Sequence, residues 1–220
     1  MSKRCLIIGA GPGIGQAVAY AFAHEGYDIG MIARNPAKLA DACALIAKKT
    51  GRTVRAYAGD AGDESSLKAA IGRARRGLGG DIEVLVYNAA AATLGKPTTL
   101  DTEQLIAEFR INVAGALVAV REVAKAMRKA GRGTILFTGG ASAYEPVAEY
   151  ASLSLGKAAL RSLTFTLAQE LGRDGIHVAM VTVHGFVQAN TQFDPNRIAQ
   201  AYVRLHKQAR GHFDIETVYR

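Results

Sequence analysis

Short runs of β-branched and apolar residues alternate with longer stretches of helical periodicity along almost the whole chain. Runs at 5–8, 27–33, 53–58, 82–87, 133–138 and 177–183 read as strands, because each is short, apolar and rich in Val, Ile or Ala. The intervals 14–25, 64–76, 101–130 and 148–172 carry helical patterns. Asn35-Pro36 supplies a cap and a first-turn proline for one more helix after the second strand. A helix between two strands carries the chain across the sheet, so the second strand returns parallel to the first. Strands this apolar need cover on both faces. The pattern predicts an α/β fold, a doubly wound parallel sheet of about six strands flanked by helices.

A chain of 220 residues, 49 % of them hydrophobic and only 5 of them proline, fits one domain spanning 1–220. A domain of that size buries roughly 70 % of the surface its unfolded chain exposes, so it needs no disulfide or metal staple. The two cysteines, Cys5 and Cys43, lie far apart, one in a strand-like and one in a helical run. With no export signal in the N-terminal run, this predicts a reducing cytoplasm rather than a disulfide framework. No apolar run approaches 18 residues, which argues against a membrane span. The formal charge of +8 favours anionic partners. The basic residues, however, cluster on helix faces, as in Arg73, Arg75 and Arg76 or Arg121, Lys125, Arg128 and Lys129, where solvation explains them. Neither zinc-finger spacing nor aromatic-basic interleaving accompanies them, so neither a metal nor a nucleic acid is expected.

Between the first strand and the first helix lies Gly9-Ala10-Gly11-Pro12-Gly13-Ile14-Gly15. Glycines at this junction let the backbone approach a pyrophosphate closely and turn helix N-terminal amides toward its charge. The spacing is Gly9-x-x-x-Gly13-x-Gly15, because Ile14 stands where the commoner Gly-x-Gly-x-x-Gly pattern needs its third glycine. The end of the second strand then bears on which dinucleotide is held. An NAD site usually places a carboxylate about 20 residues after the loop for the ribose 2′-hydroxyl, whereas an arginine accommodates a 2′-phosphate. Here the chain reads Ile32-Ala33-Arg34-Asn35, and Lys38 follows one helical turn later. Arg34 offers a guanidinium fork suited to phosphate, which predicts NADP over NAD.

The glycine spacing resembles that of the short-chain dehydrogenase/reductase family, and further matches follow in order. Asp60, in Ala58-Gly59-Asp60, matches the family aspartate that contacts adenine. Asn88-Ala89-Ala90 is similar to the family's Asn-Ala-Gly motif, with Ala90 in place of its glycine. Asn112 matches the asparagine inside the long fourth helix, and Lys157 the lysine that binds the nicotinamide ribose and lowers the pKa of a tyrosine. The resemblance implies a Rossmann-type domain, a nicotinamide cofactor, a small-molecule carbonyl or alcohol as substrate, and oxidoreductase chemistry. Gly185 and Val187 lie in the stretch that matches the family's Pro-Gly motif beside the nicotinamide, and Thr191 matches a loop residue that often touches the carboxamide.

The resemblance also shows what this chain lacks. In the family a tyrosine four residues before the lysine carries the proton, and a serine 13 residues before that tyrosine holds the substrate oxygen. Counting back from Lys157 finds Leu153 and Gly140. Substitute donors are Tyr150, seven residues before Lys157 and so on nearly the same helix face, Ser142, two residues beyond Gly140, and His184, which replaces the family proline. Each also has a structural reading: Tyr150 as packing at a helix start, Ser142 as a loop hydroxyl, His184 as a strand cap. Two functions follow: an atypical NADP-dependent oxidoreductase with a displaced or water-borne donor, or a catalytically silent NADP-binding sensor or regulator.

Residues from about 188 to 220 form a short substrate-side segment, with Asp194-Pro195 starting a helix that runs to about Gln208. The family's usual last strand, ending Val-Asp-Gly-Gly, has no counterpart here, so the sheet is expected to stop at six strands. That argues against the family's usual tetramer and leaves a homodimer through the fourth and fifth helices, 101–130 and 148–172.

Overall fold

The computed structural model describes residues 3–220. Its centre is one sheet of seven strands in the order β3-β2-β1-β4-β5-β6-β7, with every neighbouring pair parallel. The strands are β1 (Lys3–Ile8), β2 (Tyr27–Ala33), β3 (Val54–Ala58), β4 (Val84–Tyr87), β5 (Gly133–Gly140), β6 (Ile176–Val183) and β7 (Glu216–Tyr219). The helices are α1 (Ile14–His24), α2 (Ala40–Thr50), α3 (Glu64–Gly77), α4 (Thr102–Phe109), α5 (Gly115–Ala130), α6 (Ala151–Leu171) and α7 (Pro195–His206). The doubly wound α/β reading holds.

Alternate residues of each strand feed two cores. Cys5 and Ile7 of β1 join Val18, Phe22, Met31 and Tyr202 under α1, α2 and α7. Leu6 and Ile8 join Leu67, Ile71, Leu85, Phe137 and Leu160 under α3, α5 and α6. All eight residues of β6 are buried, as a strand covered on both faces requires.

Two expectations are corrected. The sheet has a seventh strand, with Glu216–Tyr219 paired to Met180–Val183 of β6. Its four residues are only partly covered, too few for a hydrophobic period to show. The ladder on β6 holds it, together with Glu216, which accepts from Thr182 Oγ1 and Arg161 Nε. The fourth expected helix is likewise two segments, α4 and α5, joined by a π-helical turn at Arg110–Ala114. Such a turn interrupts the i→i−4 ladder without ending the helix and recurs at functional sites. Asn112 sits in it.

Candidate active site

Strand order reverses between β1 and β4: the chain winds outward through β2 and β3, then restarts on the other side of β1. A crevice opens at the carboxyl ends of the strands at such a point, and the glycine loop lies there. Gly9 has φ +82 and donates its N–H to the Ile32 carbonyl at 3.0 Å. A Cβ on Gly9 would stand 2.4 Å from the Ala89 nitrogen, so the loop rests directly on the segment after β4. Gly13, at φ +100, begins α1, and a Cβ on Gly11 or Gly13 would meet nothing within 4 Å. The N-terminus of α1 has no side-chain cap and no acidic residue in its first turn. Its free amides and positive dipole end therefore fit the pyrophosphate of a dinucleotide.

Asn88 holds the loop from the β4 side. Its Nδ2 donates to the Gly9 carbonyl at 2.8 Å, and its Oδ1 accepts from Thr138 Oγ1 at 2.8 Å. Since the Thr138 proton goes to Asn88, the hydroxyl of Tyr202, 2.6 Å from Thr138 Oγ1, acts as donor to it. On the other side of the same residue, Lys157 Nζ donates to the Thr138 carbonyl at 2.7 Å. Thr138, near the end of β5, thus links the glycine loop, the lysine and α7. Lys157 is buried, and loss of solvation lowers its pKa to about 8.

Asn112 is also buried. Its side chain accepts from the Ala91 N–H and donates to the Ala91 carbonyl, both at 2.8 Å. It packs against Gly156, where a Cβ would come 2.8 Å from the amide nitrogen. Asn112 therefore pins the loop after β4 to α6. Asp60 Oδ1 accepts from the Gly62 N–H at 2.8 Å, shaping the turn after β3. Arg34 and Lys38 are exposed just beyond β2, and Asn35 caps the turn between them by accepting from the Ala37 N–H at 3.1 Å.

The three substitute donors lie on loops at this same edge. His184 follows β6, and its backbone N–H donates to the Tyr219 carbonyl at 2.9 Å. Its Nε2 stands 3.7 Å from Glu145 Oε1, which ties it to the turn after β5 that carries the half-buried Ser142. Tyr150 occupies the cap position of α6 with its ring partly exposed. Its carbonyl accepts from Ser154 Oγ at 3.0 Å. Leu153 is half-buried on α6. Of the other loop residues, Val187 is exposed, and Gly185 is overlaid by the Phe193 ring. Thr191 closes the loop on itself, donating to the Gln188 carbonyl and accepting from the Phe193 N–H.

Thr138, Tyr202 and Glu108 escape sequence reasoning. Tyr202 lies 64 residues from Thr138 and reads as an ordinary buried helix position. Glu108 is a buried carboxylate on α4 that accepts from Thr93 Oγ1 and Gln104 Nε2. Its i, i+4 spacing from Gln104, which donates to it at 2.9 Å, was the available signal. Among the described residues, no group of three or more His, Cys, Asp or Glu side chains is placed to hold a metal. No helix among them is long and apolar enough to cross a membrane.

Comparison with known proteins agrees with this geometry. Residues 3–198 match the short chain dehydrogenase family. The chain is 32 % identical over 180 residues to a 2,3-dihydro-2,3-dihydroxybenzoate dehydrogenase of Bacillus subtilis (strain 168), covering 82 % of this chain and 68 % of that protein. It is 29 % identical over 180 residues to a glucose 1-dehydrogenase of Gluconobacter oxydans (strain 621H), covering 81 % and 67 %. It superposes on a metagenomic short-chain oxidoreductase crystallised in complex with NADP with a TM-score of 0.90 at 27 % identity, over 98 % of this chain and 96 % of that one. With its sheet, its glycine loop and these matches, the chain belongs to the short-chain dehydrogenase family.

Proposed function

We propose that the chain is an NADP-preferring oxidoreductase that moves hydride between nicotinamide and a carbonyl or alcohol group of a small molecule, with a proton donor other than the tyrosine usual in its family. The observation that carries this reading is the Thr138 junction, which sets the glycine loop and the Lys157 ammonium on one hydrogen-bonded strand end. The NADP held by the metagenomic relative supports the choice of cofactor, as does the exposed Arg34 where a carboxylate would favour NAD.

On this reading Gly9, Gly11, Gly13, Ile14 and Gly15 receive the pyrophosphate, Arg34 the 2′-phosphate, and Asp60 and Asn88 the adenosine side. Lys157, Gly185, Val187 and Thr191 border the nicotinamide. When bound, the reduced cofactor supplies a hydride, with its two electrons, to the carbonyl carbon. As the carbonyl π bond breaks, the oxygen takes up a proton, which the chain must provide or admit from water. His184 takes this role on our reading, supported by the Glu145 carboxylate 3.7 Å from Nε2, which would pair with a protonated ring. Tyr150 and Ser142, hydroxyl-bearing side chains of the adjoining loop, are the alternative donors. Asn112 acts as a positioning residue through Ala91. The segment from about 188 to 220 forms the substrate side. Ile106 and Phe109 of α4 and Leu155 of α6 are exposed apolar side chains, which supports a homodimer through these helices.

The second reading, a silent NADP-binding sensor, is favoured by Leu153 and Gly140, which leave no oxygen at two positions where the family has one. Two measurements separate the readings. Titration should show NADPH binding more tightly than NADH, with Arg34→Ala weakening NADPH about ten- to a hundredfold and leaving NADH unchanged. Equal affinity for the two cofactors would sink the NADP assignment. Turnover on a carbonyl panel should fall about 10²- to 10⁴-fold in His184→Ala and less in Tyr150→Phe. Tight NADPH binding with no turnover anywhere on the panel would favour the sensor.

A further inference from the structure

Resting on the oxidoreductase reading above, we infer that the site takes an apolar carbonyl compound, or its alcohol, that is uncharged or cationic, and discriminates against carboxylates and phosphates. Three loops leave the carboxyl ends of the adjacent strands β4, β5 and β6, at 88–101, 141–150 and 184–194. They are joined to one another. Gly95 pairs with Tyr150, its N–H donating to the Glu149 carbonyl at 3.0 Å, and His184 approaches Glu145 at 3.7 Å.

These loops carry large apolar side chains turned outward, with Leu94 68 %, Val147 46 %, Tyr150 40 % and Phe186 88 % exposed. A single exposed leucine is ordinary, but several large apolar side chains exposed on loops that leave adjacent strand ends mark a ligand or partner surface. Position favours a ligand, because the same loops hold His184, Ser142 and Tyr150.

Charge narrows the class. The chain as a whole carries 27 Lys and Arg against 19 Asp and Glu. The three loops nevertheless contain no arginine and one lysine, Lys96, against Glu145, Glu149, Asp101 and Asp194. The two aspartates cap α4 and α7, which leaves Glu145 and Glu149 facing outward. A site for an anionic substrate is normally built around a guanidinium fork; none of these loops carries an arginine, and Arg161 of α6, which reaches Tyr144 of the middle loop, is already paired with Glu216. Two carboxylates at the mouth repel an anion and leave a neutral apolar molecule unaffected.

The test uses the full chain with saturating NADPH and a series of linear methyl ketones of increasing length. Each is compared with an oxo acid of matched length and with the methyl ester of that acid. We expect kcat/KM to rise about fourfold per added methylene until the cleft is filled. Each ester should exceed its acid at least about tenfold. Phe186→Ser and Leu94→Ser should flatten the length dependence, and Glu145→Gln with Glu149→Gln should narrow the gap between ester and acid. A flat series, or acids preferred over esters, overturns the inference while leaving the oxidoreductase reading intact. If NADPH binds but nothing turns over, calorimetric binding of the same ketones, acids and esters to the NADP complex takes the place of kcat/KM: affinity rising with length and esters bound above acids support the inference, and a flat series or acids bound more tightly overturn it. If NADPH fails to bind, the oxidoreductase reading falls, and this inference with it.

Discussion

Placing side-chain oxygens at positions 140 and 153, Gly140→Ser together with Leu153→Tyr, in the His184→Ala variant is expected to raise its kcat for NADPH-dependent carbonyl reduction about 10²- to 10⁴-fold, the usual worth of a positioned general acid. Position 140 has room for a side chain. Gly140 has extended backbone, φ −159 and ψ 155, which any residue adopts. A Cβ there would lie 3.8 Å from Lys157 Cε and Cγ, an ordinary contact. Leu153 lies one helical turn before Lys157 on α6, so a tyrosine there shares the lysine's face. An unassisted phenol titrates near 10, and the adjacent ammonium would favour its ionised form. Steady-state kinetics across pH should show the gain together with a new ionisation governing kcat. An unchanged rate in a folded variant that still binds NADPH would mean that proton transfer does not limit this chain. The single substitutions should give less than the pair, because the serine positions the oxygen that the tyrosine protonates.

Removing the Lys157 charge is expected to have the next largest effect, in opposite directions on binding and on stability. Burial holds its pKa at about 8, against an ordinary lysine value of 10.5. Because the folded value is the lower one, the unfolded chain binds more protons between about pH 8 and 10.5, and stability rises with pH across that window. Below pH 8 the folded protein carries the full cost of the buried ammonium, about 3 kcal/mol at 1.36 kcal/mol per pKa unit. Lys157→Met, similar in length and free of charge, should therefore raise the denaturation midpoint at pH 7. Its advantage over the parent chain should shrink as pH rises from 8 toward 10.5. Denaturant titrations of both proteins at pH 7, 9 and 10.5 measure this, and a difference that stays constant across that range would falsify the assignment. The same variant should bind NADPH about ten- to a hundredfold more weakly, the usual cost of one charge-assisted hydrogen bond. A stabilising substitution that weakens cofactor binding would mark a residue kept for function at the expense of stability.

Much of the fold was legible because its signals are local. Strands buried on both faces become mainly apolar runs, and in β6 the stretch Val178–Val181 is wholly apolar between His177 and Thr182. The glycine loop announced itself through backbone need: Gly9 and Gly13 adopt φ values that side chains resist. The asparagine cap at 35 and the aspartate cap at 194 also appeared as expected, each a short-range bond between a side chain and a nearby amide. The resemblance to a family singled out Asn112 and Lys157, although neither residue's surroundings could be read from its neighbours in the chain.

Other features depended on contacts that sequence distance hides. β7 is a strand because β6 offers it a ladder and Arg161 and Thr182 hold Glu216. The π turn around Asn112 looks helical in any hydrophobic pattern. Thr138 joins Asn88, Tyr202 and Lys157 across separations of 50, 64 and 19 residues, and no local period records such a meeting. The exposed Leu94, Val147 and Phe186 come from three separate loops that only the sheet order sets on neighbouring strand ends. Periodicity, backbone freedom and residue identity are properties of neighbouring positions. The linear chain therefore suffices for the alternation of strand and helix, the glycine loop and the absence of side-chain oxygens at 140 and 153. The seventh strand, the Thr138 junction and the desolvation of Lys157 arise instead from packing between segments far apart in the chain, and they exist only once the sheet has assembled.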